Sequence, residues 1–310
     1  MRWGPEWAFG VTMADHLENP ILIIKTSWGG KTLNTDFRPP SAGPYVYDPS
    51  ILEEIANRRN QTREEVIAAK HAETGVFYRT MIDHVRRVLA NPGEYHPAYD
   101  PAAGYEISGF VWLQGWNDMM DGHTYPPGLG AARYAPYSDV LAHFIRDVRN
   151  DFQAPEMPFV IGVIGIGNDD FRAAMAAPAE MEEFKDHVIA VDMKESRDFQ
   201  LDELAHRVWR WEERHDNEDR YAELRERLAP LQRELEETRK IEDRRERNRQ
   251  EVEIRERMRA VMYTPEEMEY MENNRSSQGF HYLGSPKFFG RVGEAFARAL
   301  LESPMPRQSR

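Results

Sequence analysis

Four short apolar runs punctuate the first two hundred residues: Ile21-Leu22-Ile23-Ile24, Phe110-Val111-Trp112-Leu113, Phe159-Val160-Ile161-Gly162-Val163-Ile164 and Val188-Ile189-Ala190-Val191. Each is short and continuous, the pattern of a strand buried on both faces. Between them the apolar spacing changes to that of helices. Residues 63–90 carry Val66, Ile67, Val76, Phe77, Met81, Ile82, Val85 and Leu89, with a break expected at Gly75. Residues 137–152 place Val140, Leu141, Phe144, Ile145 and Val148 on one face, with Ser138 as the expected N-cap. A further helix is predicted over 6–17, opened by Pro5, and another over 292–301. Strands alternating with helices predict an α/β fold with a parallel sheet, whose chemistry sits at the carboxyl ends of the strands.

Residues 201–275 break this alternation. They contain 17 basic and 22 acidic residues and no glycine. Glu223–Arg227, Glu236–Lys240, Glu251–Arg255 and Glu253–Arg257 are spaced as i,i+4 ion pairs, each contributing about 0.2–0.5 kcal/mol on an exposed helix. Leu224, Leu228, Leu231 and Leu235 form a narrow coiled-coil-like stripe. The segment therefore reads as a charged helical insertion that leaves the body and returns to it, a hairpin with its break at Pro230. Its expected role is that of a spacer or an arm for a protein partner. The domain reading is a body of 1–200 and 276–303, the insertion at 201–275 and a flexible tail at 304–310.

Composition narrows the function classes. The 310 residues are 41% hydrophobic and 11% aromatic, with 7 Trp, so a disordered chain is excluded. A formal charge of -13 is a poor footprint for a nucleic-acid backbone, and no apolar run is long enough to span a membrane. There is no Cys, which removes disulfides, thiolate metal sites and a cysteine nucleophile. None of the 10 His forms an i,i+4 pair of the helical zinc type, so no metal is expected. The opening Met1-Arg2-Trp3-Gly4-Pro5 lacks the charged-then-apolar pattern of a signal peptide.

Three polar clusters fall where strand-end chemistry is expected. The first is Lys25-Thr26-Ser27-Trp28-Gly29-Gly30-Lys31-Thr32, where paired glycines let backbone N–H groups approach a substrate oxygen. The second is Gln114-Gly115-Trp116-Asn117-Asp118: Gly115 permits a sharp turn, Asn117 can donate an amide N–H to an oxyanion, and Asp118 can fix the loop. The third is Ser276-Ser277-Gln278-Gly279-Phe280-His281-Tyr282-Leu283-Gly284-Ser285, a glycine-bounded loop that presents His281.

In this order the three clusters resemble the SGNH hydrolases, and within them the sialate O-acetylesterase-like proteins related to carbohydrate esterase family six. The resemblance runs through Ile24 to Lys31, Gly104 to Asp118 and Gln278 to Ser285, with Gly4-Pro5-Glu6 also familial. It implies a flavodoxin-like three-layer α/β/α fold, no cofactor, and serine-esterase chemistry on acetylated carbohydrates. A serine attacks the acetyl ester, a histidine takes and returns its proton, and backbone N–H groups with an asparagine hold the oxyanion. His281 matches the base, Asn117 the oxyanion side chain, and Gly29 and Gly30 the glycine block. Gln114 and Gly115 complete the second block, with Asp118 and Gln278 in support.

Three departures accompany the resemblance. The family's nucleophile lies in a Gly-Gln-Ser-Asn-type motif after the first strand, well upstream of Gly-Pro-Glu, and no serine here has that context; Ser27 is the nearest alternative. Trp116 stands where carbohydrate esterases commonly carry Glu, and Gln278 where many relatives carry Asp, leaving Asp118 or Asp192 to orient His281. The expectation is a sheet whose first strand and nucleophile are missing, in a family whose members are often exported. The competing expectation is a non-catalytic glycan-binding protein using Trp28 and Trp116, with Trp112 in the core.

Overall fold

The computed structural model describes residues 4–212, 222–277 and 282–303, and they divide into two compact units. The body comprises 4–196 and 290–303, and a second, helical unit comprises 197–289.

The body is built on three parallel strands, β1 (Phe110–Trp112), β2 (Phe159–Val163) and β3 (Val188–Asp192), in the order β1-β2-β3. Phe110 pairs with Phe159, and Phe159 with Val188. The central strand β2 is buried at every position, which accounts for its unbroken apolar run. The preceding helices are α1 (Pro5–His16), α2 (Pro49–Arg59), α3 (Arg63–Glu73) and α4 (Val76–Ala90). Between the strands come α5 (Trp116–Met120), α6 (Ala135–Asp151) and α7 (Asp169–Ala176). This mixed α/β architecture with a parallel sheet is the expected fold class.

Alternation along the strands assigns the two faces of the sheet. Phe110, Trp112 and Phe159 meet Phe144 of α6, with ring centroids 5.9, 4.4 and 6.3 Å away. Gly162 faces the other way, where an added Cβ would lie 2.6 Å from the Phe296 ring. Phe296 belongs to the chain's last helix, so helices cover both faces and the layers run α/β/α. That last helix also carries Gly293, where a Cβ would lie 2.1 Å from the Pro5 carbonyl oxygen, and α1 is thereby drawn against it.

The run at 21–24 does not form the expected strand. It is not paired into the sheet, and Ile23 is 40% exposed. An apolar run specifies burial, but strand structure also requires a ladder partner, and none is present among the described residues. Strand β1 is consequently an edge of the sheet. Ser138 is another correction: it sits buried inside α6 and donates to Ala174 O at 2.7 Å, while the helix begins at Ala135. The expected break at Gly75 is present, between α3 and α4.

In the helical unit α8 (Phe199–Glu212) is followed by α9 (Ala222–Glu237), α10 (Arg244–Met262) and α11 (Pro265–Asn274), and α12 (Pro286–Glu302) leads back into the body. Helices α9 and α10 pack as a hairpin: Leu228 and Leu231 meet Ile254 and Met258, flanked by Leu224, Leu235, Val261 and Met262. Arg257 pairs with Glu234 across it at 2.6 Å. Pro230 lies within α9 rather than at its end. Helix on both sides of the proline is needed to bury Leu228 and Leu231 on one stripe, and that burial outweighs the lost backbone bond. The reversal comes at 238–243, where Asp243 caps α10 by accepting from Arg245 N and Glu246 N. Leu235 thus belongs to the same arm as Leu228, not to the opposite one. No described helix is long and apolar enough to cross a membrane.

Candidate active site

The loop leaving the carboxyl end of β1 is organised by Asp118, which is fully buried. Its Oδ2 accepts from Leu33 N at 2.7 Å and Gln114 Nε2 at 2.6 Å, and its Oδ1 from Asn34 N and Tyr125 OH, both at 3.1 Å. Four donors fill the four lone-pair positions of one carboxylate. Burial still dominates its titration and pushes the carboxyl up to about 6, against the opposing pull of these hydrogen bonds. Asp118 therefore clasps the 31–34 loop to the end of β1, the loop-fixing role read from the sequence, and has no lone pair left to orient an imidazole.

Two neighbours strengthen the clasp. Gln114 Nε2 also donates to Lys31 O at 3.0 Å, and Asn117 Nδ2 donates to the same carbonyl at 3.2 Å. The second amide hydrogen of Asn117 has no partner among the described residues. Gly115 is closely packed: a Cβ there would lie 2.9 Å from Met175 Cε and 3.1 Å from Phe171 Cε1, both on α7. Trp116 opens α5 and is 48% exposed.

The clasped loop begins with Gly29 and Gly30. Neither has a neighbour within 4 Å of the position a Cβ would take, and Gly30 holds φ +73, the left-handed region that favours glycine. Trp28, just before them, packs on Phe77 at 5.2 Å and Phe37 at 6.0 Å. Phe37 in turn meets Trp112, which lies in the core as expected. Gly75, at φ +69, lets α4 start against this loop, donating to Thr35 O at 2.8 Å, and so sets Phe77 in place. Lys31 Nζ lies 4.1 Å over the Phe77 ring and 3.2 Å from Asp36 Oδ1. Asp36 Oδ2 accepts from Thr32 N at 2.9 Å and Thr32 Oγ1 at 3.1 Å.

The structure thus brings Gln114, Asn117 and Asp118 together with the loop that follows Gly29 and Gly30. His281 and Gln278 lie outside the described residues. The neck of their loop is described: Ser276 N and Ser277 N donate to Leu283 O at 3.1 and 2.9 Å, and Ser276 Oγ donates to Gly284 O at 2.9 Å. Asp192 is 58% exposed and held by Arg172 Nη2 at 2.7 and 2.6 Å. Ser27 is exposed. A contact that sequence reasoning missed joins Ser41 Oγ to His143 Nδ1 at 2.8 Å, while Ser41 N donates to Asp147. The partners are 102 residues apart, and no local pattern announces them. The roles of Lys31 and Asp36 were also missed; the Thr32–Asp36 spacing is the one local signal that pointed to them.

A family model described as carbohydrate esterase, sialic acid-specific acetylesterase, matches residues 1–207, two thirds of the chain. The chain belongs to this family of carbohydrate esterases. The matched span contains the first two clusters and ends before the third. No curated protein and no solved structure matches the chain.

Proposed function

We propose that the protein is a carbohydrate O-acetylesterase that removes acetyl groups from sugar hydroxyls by a serine-esterase mechanism, with the body supplying the oxyanion and sugar contacts. The observation that carries this reading is the Asp118 clasp, which sets the Asn117 amide beside the loop of Gly29 and Gly30 at the carboxyl end of β1. In the proposed reaction a serine Oγ attacks the acetyl carbonyl and His281 accepts its proton. The oxyanion lies between Asn117 Nδ2 and the glycine backbone. Collapse expels the sugar oxygen, which takes the proton from His281 to leave as a hydroxyl, and water then releases acetate by the same route.

The nucleophile is proposed to lie on a further strand paired with the outer edge of β1. Two observations support this: β1 is an edge strand, and the aliphatic run at 21–24 has no partner in the sheet. A second reading, a glycan-binding protein without turnover, is favoured by the exposure of Trp28 and Trp116, at 37% and 48%, since such rings stack on sugar faces.

Acetate release from O-acetylated N-acetylneuraminic acid and from 4-nitrophenyl acetate separates these readings. Joining a serine-bearing strand to the 310-residue chain should raise turnover from trace to robust, and His281→Ala should then abolish it. Robust turnover by the chain alone places the nucleophile within it, with Ser27 as the first substitution to make. Sugar binding without turnover in the strand-extended protein supports the glycan-binding reading.

A further inference from the structure

We propose that Lys31 makes the sugar site selective for a carboxylated sugar over a neutral one. This rests on the reading of the body as a sugar-binding esterase site. Lys31 follows the open glycine pair directly, and its carbonyl is fixed by both Gln114 and Asn117. Its ammonium is fixed as well, over the face of Phe77 and against Asp36 Oδ1. A lysine head held at both ends has already lost much of the rotamer freedom that an ion pair with a ligand would otherwise cost.

The pairing with Asp36 does not cancel this role. Oδ2 of Asp36 is occupied by Thr32, and its side chain is 18% exposed against 29% for Lys31, so Lys31 is the more exposed side chain of the pair. An ammonium has three donors, and the contact with Asp36 uses one. Lys25 and Arg38, the nearest cations along the chain, are committed elsewhere: Lys25 pairs with Glu6 at 2.6 Å, and the Arg38 guanidinium donates to Gly43 O, Ala42 O and Asn34. Trp28 packs on the same Phe77 ring as Lys31, so an exposed aromatic face and a cation stand on one support beside Gly29 and Gly30. That pairing suits a sugar whose apolar face stacks while its carboxylate meets an ammonium.

The test is binding by the 310-residue chain, read by calorimetry and tryptophan fluorescence, and needs no turnover. The probes are the methyl glycoside of N-acetylneuraminic acid, its carboxyl methyl ester, and a neutral O-acetylated hexose. The free acid should bind about fivefold tighter than the ester in low salt, the scale of a partly exposed ion pair, and the advantage should shrink in high salt. Lys31→Met should remove the preference while Lys31→Arg retains it, and Asp36→Asn, which removes the competing carboxylate, should enlarge it. Unchanged thermal melts establish that each variant is folded. A wild-type preference that survives in Lys31→Met overturns the proposal, as does equal binding of acid and ester. In either case, retained binding of the neutral sugar leaves the esterase reading standing. If no sugar binds at millimolar concentration, both readings fall.

Discussion

Asp118 offers the most direct test of how the site is held together. Replacing it by alanine leaves Leu33 N, Asn34 N and the Tyr125 hydroxyl without their acceptor, in surroundings where Leu33 and Tyr125 are fully buried. Gln114 keeps its bond to Lys31 O and loses less. Three stranded donors at about 1–3 kcal/mol each, partly relieved by water entering the space, give a destabilisation of about 3–5 kcal/mol. For a body of this size that corresponds to a fall in Tm of about 6–20 °C. Asp118→Asn separates hydrogen bonding from charge. The carboxyl's pKa is about 6 in the folded protein against an ordinary 3.8, so the folded state favours the protonated form. Stability from this group is therefore fully present below pH 3.8 and is lost as pH rises through 6, by about 3 kcal/mol in all. Asparagine cannot ionise, so the variant should be least stable relative to wild type near pH 4 and should recover by about that amount at pH 7.5. Urea unfolding at a series of pH values measures the difference directly. A flat difference, or one that grows as pH rises, would show that the four hydrogen bonds outweigh burial and would refute the reasoning.

Other expectations follow from the same geometry. Asn117→Ala, in a hydrolytically active form of the protein, should lower kcat by about 10²–10³ with little change in KM, because an oxyanion donor acts in the transition state. Gly293→Ala should lower Tm sharply, since its Cβ would meet the Pro5 carbonyl and the Phe9 amide, backbone atoms that cannot rotate away. Leu228→Ala should cost the α9–α10 hairpin about 2–5 kcal/mol and raise its sensitivity to limited proteolysis. Ester hydrolysis should be unaffected by that change.

Periodicity and burial tendency were readable from the chain, and partners were not. Runs at β1, β2 and β3 announced themselves because strands covered on both faces have no polar side. The run at 21–24 carries the same signature and forms no strand, because a ladder needs a neighbour that composition does not specify. Pro230 shows local preference yielding to packing: residue by residue it predicts a break, yet the leucine stripe needs helix on both sides of it. The cluster at 114–118 was placed at the carboxyl end of β1 by the apolar run before it, whereas Gly29 and Gly30 follow a run that forms no strand; the catalytic roles of these residues are those proposed above. Leu33 and Asn34, the loop that Asp118 holds, lie 85 and 84 residues away from it and could be found only in the folded chain. Lys31 stayed hidden for a related reason, since its significance depends on Phe77, supplied by α4.

The placement of Phe296 on the sheet has a consequence for the order of folding during synthesis. The face of the sheet that carries Gly162 is covered by a side chain from the last helix of the described chain. Strands β1 to β3 are made well before it, and the charged helices follow, with the hairpin formed by contacts between neighbours in sequence. Local helical contacts form quickly, whereas the body's contact between Gly162 and Phe296 closes a long loop. The helical segment can therefore fold while one apolar face of the body is still waiting for its cover. A ribosome stalled just short of residue 290 would hold a chain with its sheet made and that face open, the stage at which chaperone binding and aggregation compete most strongly with native folding.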